Sequence, residues 1–239
     1  GVSCPQDVMM HGAFNRFLLH FGDDDINDVL SLMLGSDGVL VVADDPEADA
    51  NMRVFNADGC EAEQCGNGLR CVALHLVRNQ LVQGPGLRIK TLAGTHECVV
   101  REDCNEVSVL LSTPKISSEV HKDFPHLQII DMGNPNAVYW TEDDPLKMRK
   151  KWGETICNHS SFANGMNVHF ARKDEKQFAT CASWERGVGP THASGTGGAS
   201  VFVASGTTEQ YFVSSVGGTL HYTYTDEGAV VMAGPASYM

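Results

Sequence analysis

Between residues 66 and 78 the apolar positions Leu69, Val72, Ala73, Leu76 and Val77 recur at intervals of three and four, which is one face of an α-helix. The rest of the chain reads mostly as short apolar runs separated by turn residues. Residues 8–20 form an apolar strand interrupted at 11–16, where Asn15 and Arg16 suggest a bulge or turn. Residues 23–34 open on acidic residues and continue as an apolar run, predicting a short helix. That helix runs straight into Gly35-Ser36-Asp37-Gly38 and the strand 39–42, a junction so tight that a connecting loop is inferred to be missing near Leu34. Strands are further predicted at 53–56, 87–92, 96–101 and 107–111. Beyond Thr113-Pro114 come a strand at 129–132, the turn tetrapeptide Gly133-Asn134-Pro135-Asn136 and a strand at 137–140. A helix at 145–156 and strands at 165–170 and 178–183 follow, and strands at 210–215, 220–224 and 229–232 close the chain. Short strands with one strongly placed helix in each half predict an α+β fold of mostly antiparallel sheets, not a βαβ sheet.

The pattern repeats. Cys65-Gly66-Asn67-Gly68 precedes the first helix, and Ser194-Gly195-Thr196-Gly197 precedes a second apolar run. Ala93-Gly94-Thr95 follows the first and Gly217-Gly218-Thr219 the second. Two matched units predict a duplicated fold. Its halves are residues 1–113, carrying Cys65, with 233–239 returning to them, and residues 114–232, carrying Ser194. A helix N-terminus favours anions and lowers the pKa of a thiol placed there. Cys65 is therefore a candidate nucleophile or base. On this segment alone, a small buried cysteine beside a glycine turn reads equally well.

Composition narrows the function. A formal net charge of −13 over 239 residues argues against nucleic acid and an acidic membrane surface as partners. No run approaches the roughly 18 apolar residues of a membrane-spanning helix, and residues 1–10 do not resemble a secretory signal. Eight irregularly spaced cysteines make no disulfide scaffold and no paired zinc-ligand motif, so no metal is expected and a reducing cytoplasm is. Neither glycine turn carries the lysine of a phosphate-binding loop. A serine-hydrolase reading of Ser194 with His192 lacks the G-x-S-x-G elbow, and His192 reads as a solvent or interface residue.

Asn15, the run Phe55-Asn56-Ala57-Asp58-Gly59, Cys65-Gly66-Asn67-Gly68-Leu69-Arg70, Gly133-Asn134-Pro135, Asn167-Val168 and Glu185-Arg186-Gly187-Val188-Gly189 occur in that order. With the S-G-T-G turn at Ser194 and the closing Gly234-Pro235-Ala236, the chain resembles the diaminopimelate epimerase family over nearly its whole length. The resemblance implies two pseudo-symmetric halves, each a curved sheet around a central helix, with the active site in the cleft between them. It implies inversion at an amino-acid α-carbon without a cofactor, by two cysteines, in a cytoplasmic homodimer acting on a small amino-acid substrate. By position, Cys65 is one thiol and Ser194 stands where the other belongs. Substrate contacts fall to Asn15, Asn56, Asn134, Asn167, Glu185 and Arg186, and to Gly66, Asn67, Gly195 and Thr196 at the two helix N-termini. The chemistry is coherent with those roles. Removing a weakly acidic α-proton needs a poised base and fixed donors where negative charge develops, and a thiol can serve as base or acid near neutral pH.

The chain departs from the family pattern in three ways. Ser194 replaces the second cysteine, and a hydroxyl does not ionise appreciably at neutral pH. It is either a substitution introduced to trap substrate or a natural change that leaves a one-base enzyme or an inactive relative. Asn136 stands where the family usually has histidine, which removes an imidazole from beside the thiols. Arg16 and Pro190 stand where acidic residues are usual; together with Asn136 they leave a racemase of another amino acid as an alternative, and the loss of one acid/base at Ser194 leaves a non-catalytic amino-acid-binding relative as another.

Overall fold

The computed structural model describes residues 2, 6–12, 15–22, 24–31, 35–62 and 66–239, with Asn15 and Ile26 described by their backbone alone. It is an α+β protein of short strands and few helices. The chain divides into two compact units, Gly1–Leu110 with Ala233–Met239, and Leu111–Met232.

In the first unit β1 (Val8–Gly12) and β2 (Asn15–Phe21) form an antiparallel hairpin in which Gly12 faces Asn15. Of the expected interruption at 11–16, His11 and Gly12 end β1 and Asn15 and Arg16 begin β2, while residues 13 and 14 lie outside the described residues. Helix α1 (Ile26–Leu30) is only five residues long, shorter than the pattern predicted, and Asp25 caps it by accepting from the Asn27 N–H. Residues 32–34, where a missing loop was inferred, lie outside the described residues. Strand β3 (Gly38–Ala43) pairs parallel with β2 and antiparallel with β4 (Ala50–Asn56), which also pairs with the short β5 (Glu61–Ala62). Helix α2 (Gly66–Arg78) follows. Strand β6 (Gly86–Thr91) then pairs parallel with β4, and β7 (Gly94–Arg101) and β8 (Glu106–Leu110) complete the sheet antiparallel. The curved sheet wraps α2, whose residues from Gly68 to Val77 are all buried. Burying a helix almost all round needs apolar residues beyond one stripe, which Cys71 and Leu74 supply.

The second unit opens with β9 (Lys115–Ile116), β10 (Gln128–Asp131) and β11 (Pro135–Trp140), paired antiparallel in turn. The hairpin bend spans residues 132–134, with Gly133 at φ +93° and the Met132 N–H donating to the Asn134 carbonyl. Pro135 and Asn136, read from sequence as turn residues, are therefore the first residues of a strand. Helix α3 (Pro145–Cys157) is capped by Asp144 and carries proline in its first turn, where a missing N–H costs nothing. Strand β12 (Asn167–Glu175) pairs parallel with β11 and antiparallel with β13 (Phe178–Glu185), which pairs with β14 (Gly189–Thr191). Helix α4 (Gly195–Ser205) follows, then β15 (Tyr211–Ser215), parallel to β13, then β16 (Gly218–Tyr224) and β17 (Val230–Pro235). Helix α3 covers one face of β12 and β13, packing Ile156 and Cys157 against Val168 and Phe170, while α4 packs against the same strands and β11.

The two units thus repeat one order: a hairpin, a helix, a parallel pairing, a second hairpin, the glycine-turn helix, another parallel pairing and a last hairpin. The register aligns the repeat residue by residue. Phe17 faces Gly38 as Asn136 faces Asn167, and Leu40 faces Val54 as His169 faces Ser183.

Candidate active site

In the first unit α2 starts at the Gly66-Asn67-Gly68 turn. Two close approaches account for its glycines. A Cβ on Gly68 would lie 2.8 Å from the Leu40 side chain, and one on Gly12 would lie 2.5 Å from the Asn67 carbonyl, so β1 and β3 both run hard against the helix start. The Asn67 side-chain oxygen accepts from Arg70 Nη2 at 2.5 Å, and Arg70 Nε donates to the Pro235 carbonyl. Arg70 is fully buried, one turn into the helix, and its charge stands in the low-dielectric interior beneath the turn. Asn56 ends β4 exposed, closed into its turn by Gly59 N–H donating to its carbonyl. Arg16 is exposed, and its backbone N–H donates to the Asp37 carboxylate. Cys65 and the side chain of Asn15, both named from the sequence, lie outside the described residues.

In the second unit Ser194 is the N-cap of α4: its Oγ accepts from the Gly197 N–H at 3.0 Å and its carbonyl from the Gly198 N–H at 2.9 Å. A serine in this place satisfies one of the orphan donors of a helix start. The helix lies close on its neighbours here. A Cβ on Gly198 would overlap the Tyr222 hydroxyl, and one on Gly197 would overlap the His169 ring while lying 2.8 Å from Ser194 Oγ. The Tyr222 hydroxyl donates to the Gly195 carbonyl at 2.8 Å, tying the first helical residue to β16.

Asn134 and Thr196 meet, the amide nitrogen of the first donating to the hydroxyl of the second at 3.2 Å. Asn136 is fully buried beneath them and donates to both the carbonyl and the side-chain oxygen of Asn134. Its own oxygen lies 2.8 Å from His169 Nε2, and His169 Nδ1 lies 2.7 Å from Ser183 Oγ. Burial pushes the pKa of His169 down to about 3, so the ring is neutral at ordinary pH. Asn136 leaves its own position without an imidazole, as expected. The neighbouring strand supplies a different one, His169, fully buried and hydrogen-bonded to Asn136. Beside Ser183, the buried Cys181 thiol is pushed up to about 12 by burial, against the smaller opposing effects of Ser183 and Arg149.

The remaining predicted contacts form a second group in this unit. Asn167 is buried at the start of β12, and its side-chain oxygen accepts the Arg186 backbone N–H at 3.0 Å. Asn167 thus holds the chain where it leaves β13, with Glu185 as its last residue. Burial raises the Glu185 carboxyl above its ordinary value, partly opposed by the nearby Thr191 hydroxyl. The Arg186 side chain is exposed and donates to the Asn164 carbonyl at 3.3 Å. His192 is exposed, and Pro190 lies exposed in β14. The described residues contain no cluster of three or more metal-ligating side chains. They also contain no helix long and apolar enough to cross a membrane.

The model of the family described as diaminopimelate epimerase matches residues 31–116 and 128–239. The chain belongs to the diaminopimelate epimerase family. It is 33% identical, over 269 aligned residues covering 97% of this chain and 95% of the relative, to a diaminopimelate epimerase of Desulfitobacterium hafniense. It is 34% identical over 266 residues to one of Bacillus cytotoxicus, covering 95% and 92% of the two chains. Among solved structures it is similar to a phenazine biosynthesis protein of the PhzF family from Bacillus anthracis, with a TM-score of 0.71 at 17% identity, covering 98% and 96%. It also resembles a probable proline racemase from Agrobacterium radiobacter, with a TM-score of 0.64 at 13% identity, covering 98% and 90%. Those two likenesses establish the fold. Family membership supports an amino-acid epimerase of the kind that works without pyridoxal phosphate.

Proposed function

We propose that the chain acts at the α-carbon of diaminopimelate, with Cys65 as the competent acid/base and Ser194 as an anion-binding helix cap that cannot invert the centre efficiently. The observation that carries this reading is the Ser194 hydroxyl. Its oxygen accepts the Gly197 N–H at the start of α4, at the place the family resemblance gives to a second thiol. A hydroxyl there stays protonated at neutral pH, and so serves the helix N-terminus as a cap and donor, not as a base. The substrate reading rests on the curated relatives, each named diaminopimelate epimerase, and on the grouping of Asn167, Glu185 and Arg186. A guanidinium suits a distal carboxylate and a carboxylate suits the distal ammonium. No cofactor takes part in this mechanism.

Proton removal by Cys65 alone returns a proton to the same face. In D₂O one stereoisomer of diaminopimelate should exchange its α-hydrogen with retention of configuration, and the other far less. Ser194→Cys should convert exchange into inversion, with a rate gain on the order of 10²-fold or more. Exchange is read by NMR and configuration by chiral chromatography on the same samples. Rapid inversion by the Ser194 protein would refute the assignment. A second reading, a binding protein without turnover, is favoured by Ser194 acting as an ordinary helix cap. Calorimetric binding of diaminopimelate with no exchange at either centre would establish it.

A further inference from the structure

The polar side chains buried beneath the start of α4 have a direction, and one backbone carbonyl sets it. The Asn136 amide atom that lies 2.9 Å from the Asn134 carbonyl oxygen must be its nitrogen, because a carbonyl only accepts. The Asn134 side-chain atom 2.8 Å from that nitrogen must then be the oxygen, which turns the Asn134 nitrogen toward Thr196 Oγ1. At its other end the Asn136 oxygen faces His169 Nε2, so Nε2 carries the proton. The neutral ring leaves Nδ1 bare, to accept from the Ser183 hydroxyl. Donors therefore run one way, from Ser183 through His169, Asn136 and Asn134 to Thr196. The Thr196 hydroxyl accepts within the chain, which turns its own proton away from Asn134.

Stability does not require this network. In the first unit the equivalent strand positions are Phe17, Leu40 and Val54, all buried and apolar, and the same backbone stands over them. Polar groups buried in place of well-packed apolar ones bring no net stability even when fully paired. Their effect is to fix geometry. The second unit carries polar residues at all three places, Asn136, His169 and Ser183, and connects them to two residues of the candidate site.

We propose that His169, as the neutral Nε2–H tautomer, is a positioning residue: through Asn136 it locks Asn134 and presents the Thr196 hydroxyl proton to a carboxylate held at the N-terminus of α4. The carboxylate follows from the proposed amino-acid substrate, while the locking of Asn134 does not depend on it.

Wild-type protein with ¹⁵N-labelled histidine decides the tautomer by NMR at neutral pH. The expected signature for His169 is a protonated Nε2 and a bare Nδ1, and the opposite tautomer or an imidazolium would overturn the proposal. His169→Phe keeps a ring but removes both hydrogen bonds, so the Asn134 side-chain amide signals should shift and lose their protection from exchange. Unchanged Asn134 signals would equally overturn it. With meso-diaminopimelate as the calorimetric probe, His169→Phe and Thr196→Val should each weaken binding roughly tenfold or more, the worth of one hydrogen bond to a charged group. The double variant should be no weaker than either single variant, whereas multiplying losses would show that His169 does not act through Thr196. Exchanging the pair, Asn136→His with His169→Asn, should recover binding that each single change loses. If the wild-type protein does not bind diaminopimelate, the substrate reading fails, and the tautomer and amide signals still decide the role of His169.

Discussion

Gly68 and Gly197 occupy the same place in the two units, the third residue after the position of Cys65 or Ser194, and each presses on the third residue of the strand beneath. In the first unit that residue is Leu40, with Phe17 and Val54 at the places equivalent to Asn136 and Ser183. In the second it is His169, flanked by Asn136 and Ser183 across the same pairings. One backbone arrangement therefore stands over an apolar floor in one unit and a hydrogen-bonded floor in the other. The units also differ in where the buried polar group arises. In the first it is Arg70, on the helix itself and bonded to Asn67, and in the second it is a neutral ring on the sheet that reaches Thr196 through two asparagines. Duplication supplies the scaffold twice, while the interior side chains give each helix start its own chemistry.

Acid should separate the two floors most strongly. The folded pKa of His169 is about 3, whereas an unfolded histidine titrates near 6.5. Above pH 6.5 both states are neutral there and the residue adds no pH dependence. As pH falls from 6.5 toward 3, the unfolded chain takes up a proton that the folded chain refuses, so stability falls by about 1.4 kcal/mol per pH unit at most. On the order of 4 kcal/mol is lost across the window. A triple variant carrying the first unit's set, Asn136→Phe, His169→Leu and Ser183→Val, should show a shallower slope by about one proton in urea denaturation followed against pH. The buried His75 and the half-buried His96, also lowered by desolvation, are common to both proteins and cancel.

Moving the imidazole the other way is the next largest test. Leu40→His places a polar ring on the floor that also carries Phe17 and Val54, neither of which can pair with it, and should destabilise the protein by about 3 kcal/mol. A loss within about 0.5 kcal/mol of zero would mean that the apolar floor accommodates a polar ring, and the contrast between the units would collapse.

The smallest effect concerns the glycines. Gly68→Ala meets the far end of a leucine, which can turn aside, and should cost about 1 kcal/mol. Gly197→Ala meets a ring held at both nitrogens, and should cost about 2 to 3 kcal/mol with loss of the Ser183 and Asn136 bonds. Thermal midpoints of the two variants give the order directly, and equal costs would show that the ring is not held.

Much of the scaffold was legible because its signals are local. The apolar face of α2, the two glycine turns and the start of α3 at Pro145 each depend on residues within a turn or two of one another. Helix α1 was read too long because an acidic start and an apolar run resemble a helix whether or not tertiary contacts sustain one. Asn136 was misread as a turn residue because Gly-Asn-Pro-Asn has turn composition. Its parallel pairing with Asn167, thirty-one positions on, draws it into a strand. His169 was passed over for a related reason. A half-buried strand alternates polar and apolar residues, whereas the first five residues of β12 are all buried because α3 covers one face and α4 the other. An isolated histidine there gives no periodic sign of which helix it faces.

The sequence by itself determined that this is a duplicated α+β protein of the diaminopimelate epimerase family, with a glycine-turn helix in each half and a serine at the start of the second. Those features rest on short-range backbone conformation, capping and motifs in a fixed order, all of which are written contiguously. Only the tertiary structure decided that Asn134, Asn136, His169, Ser183 and Thr196 form one hydrogen-bonded line, and that Asn167 holds the chain at Arg186. Those partners are 14 to 62 positions apart in the chain where they join separate elements, and strand register brings them together. A shift of one residue would turn His169 to the opposite face of the sheet and dissolve the line.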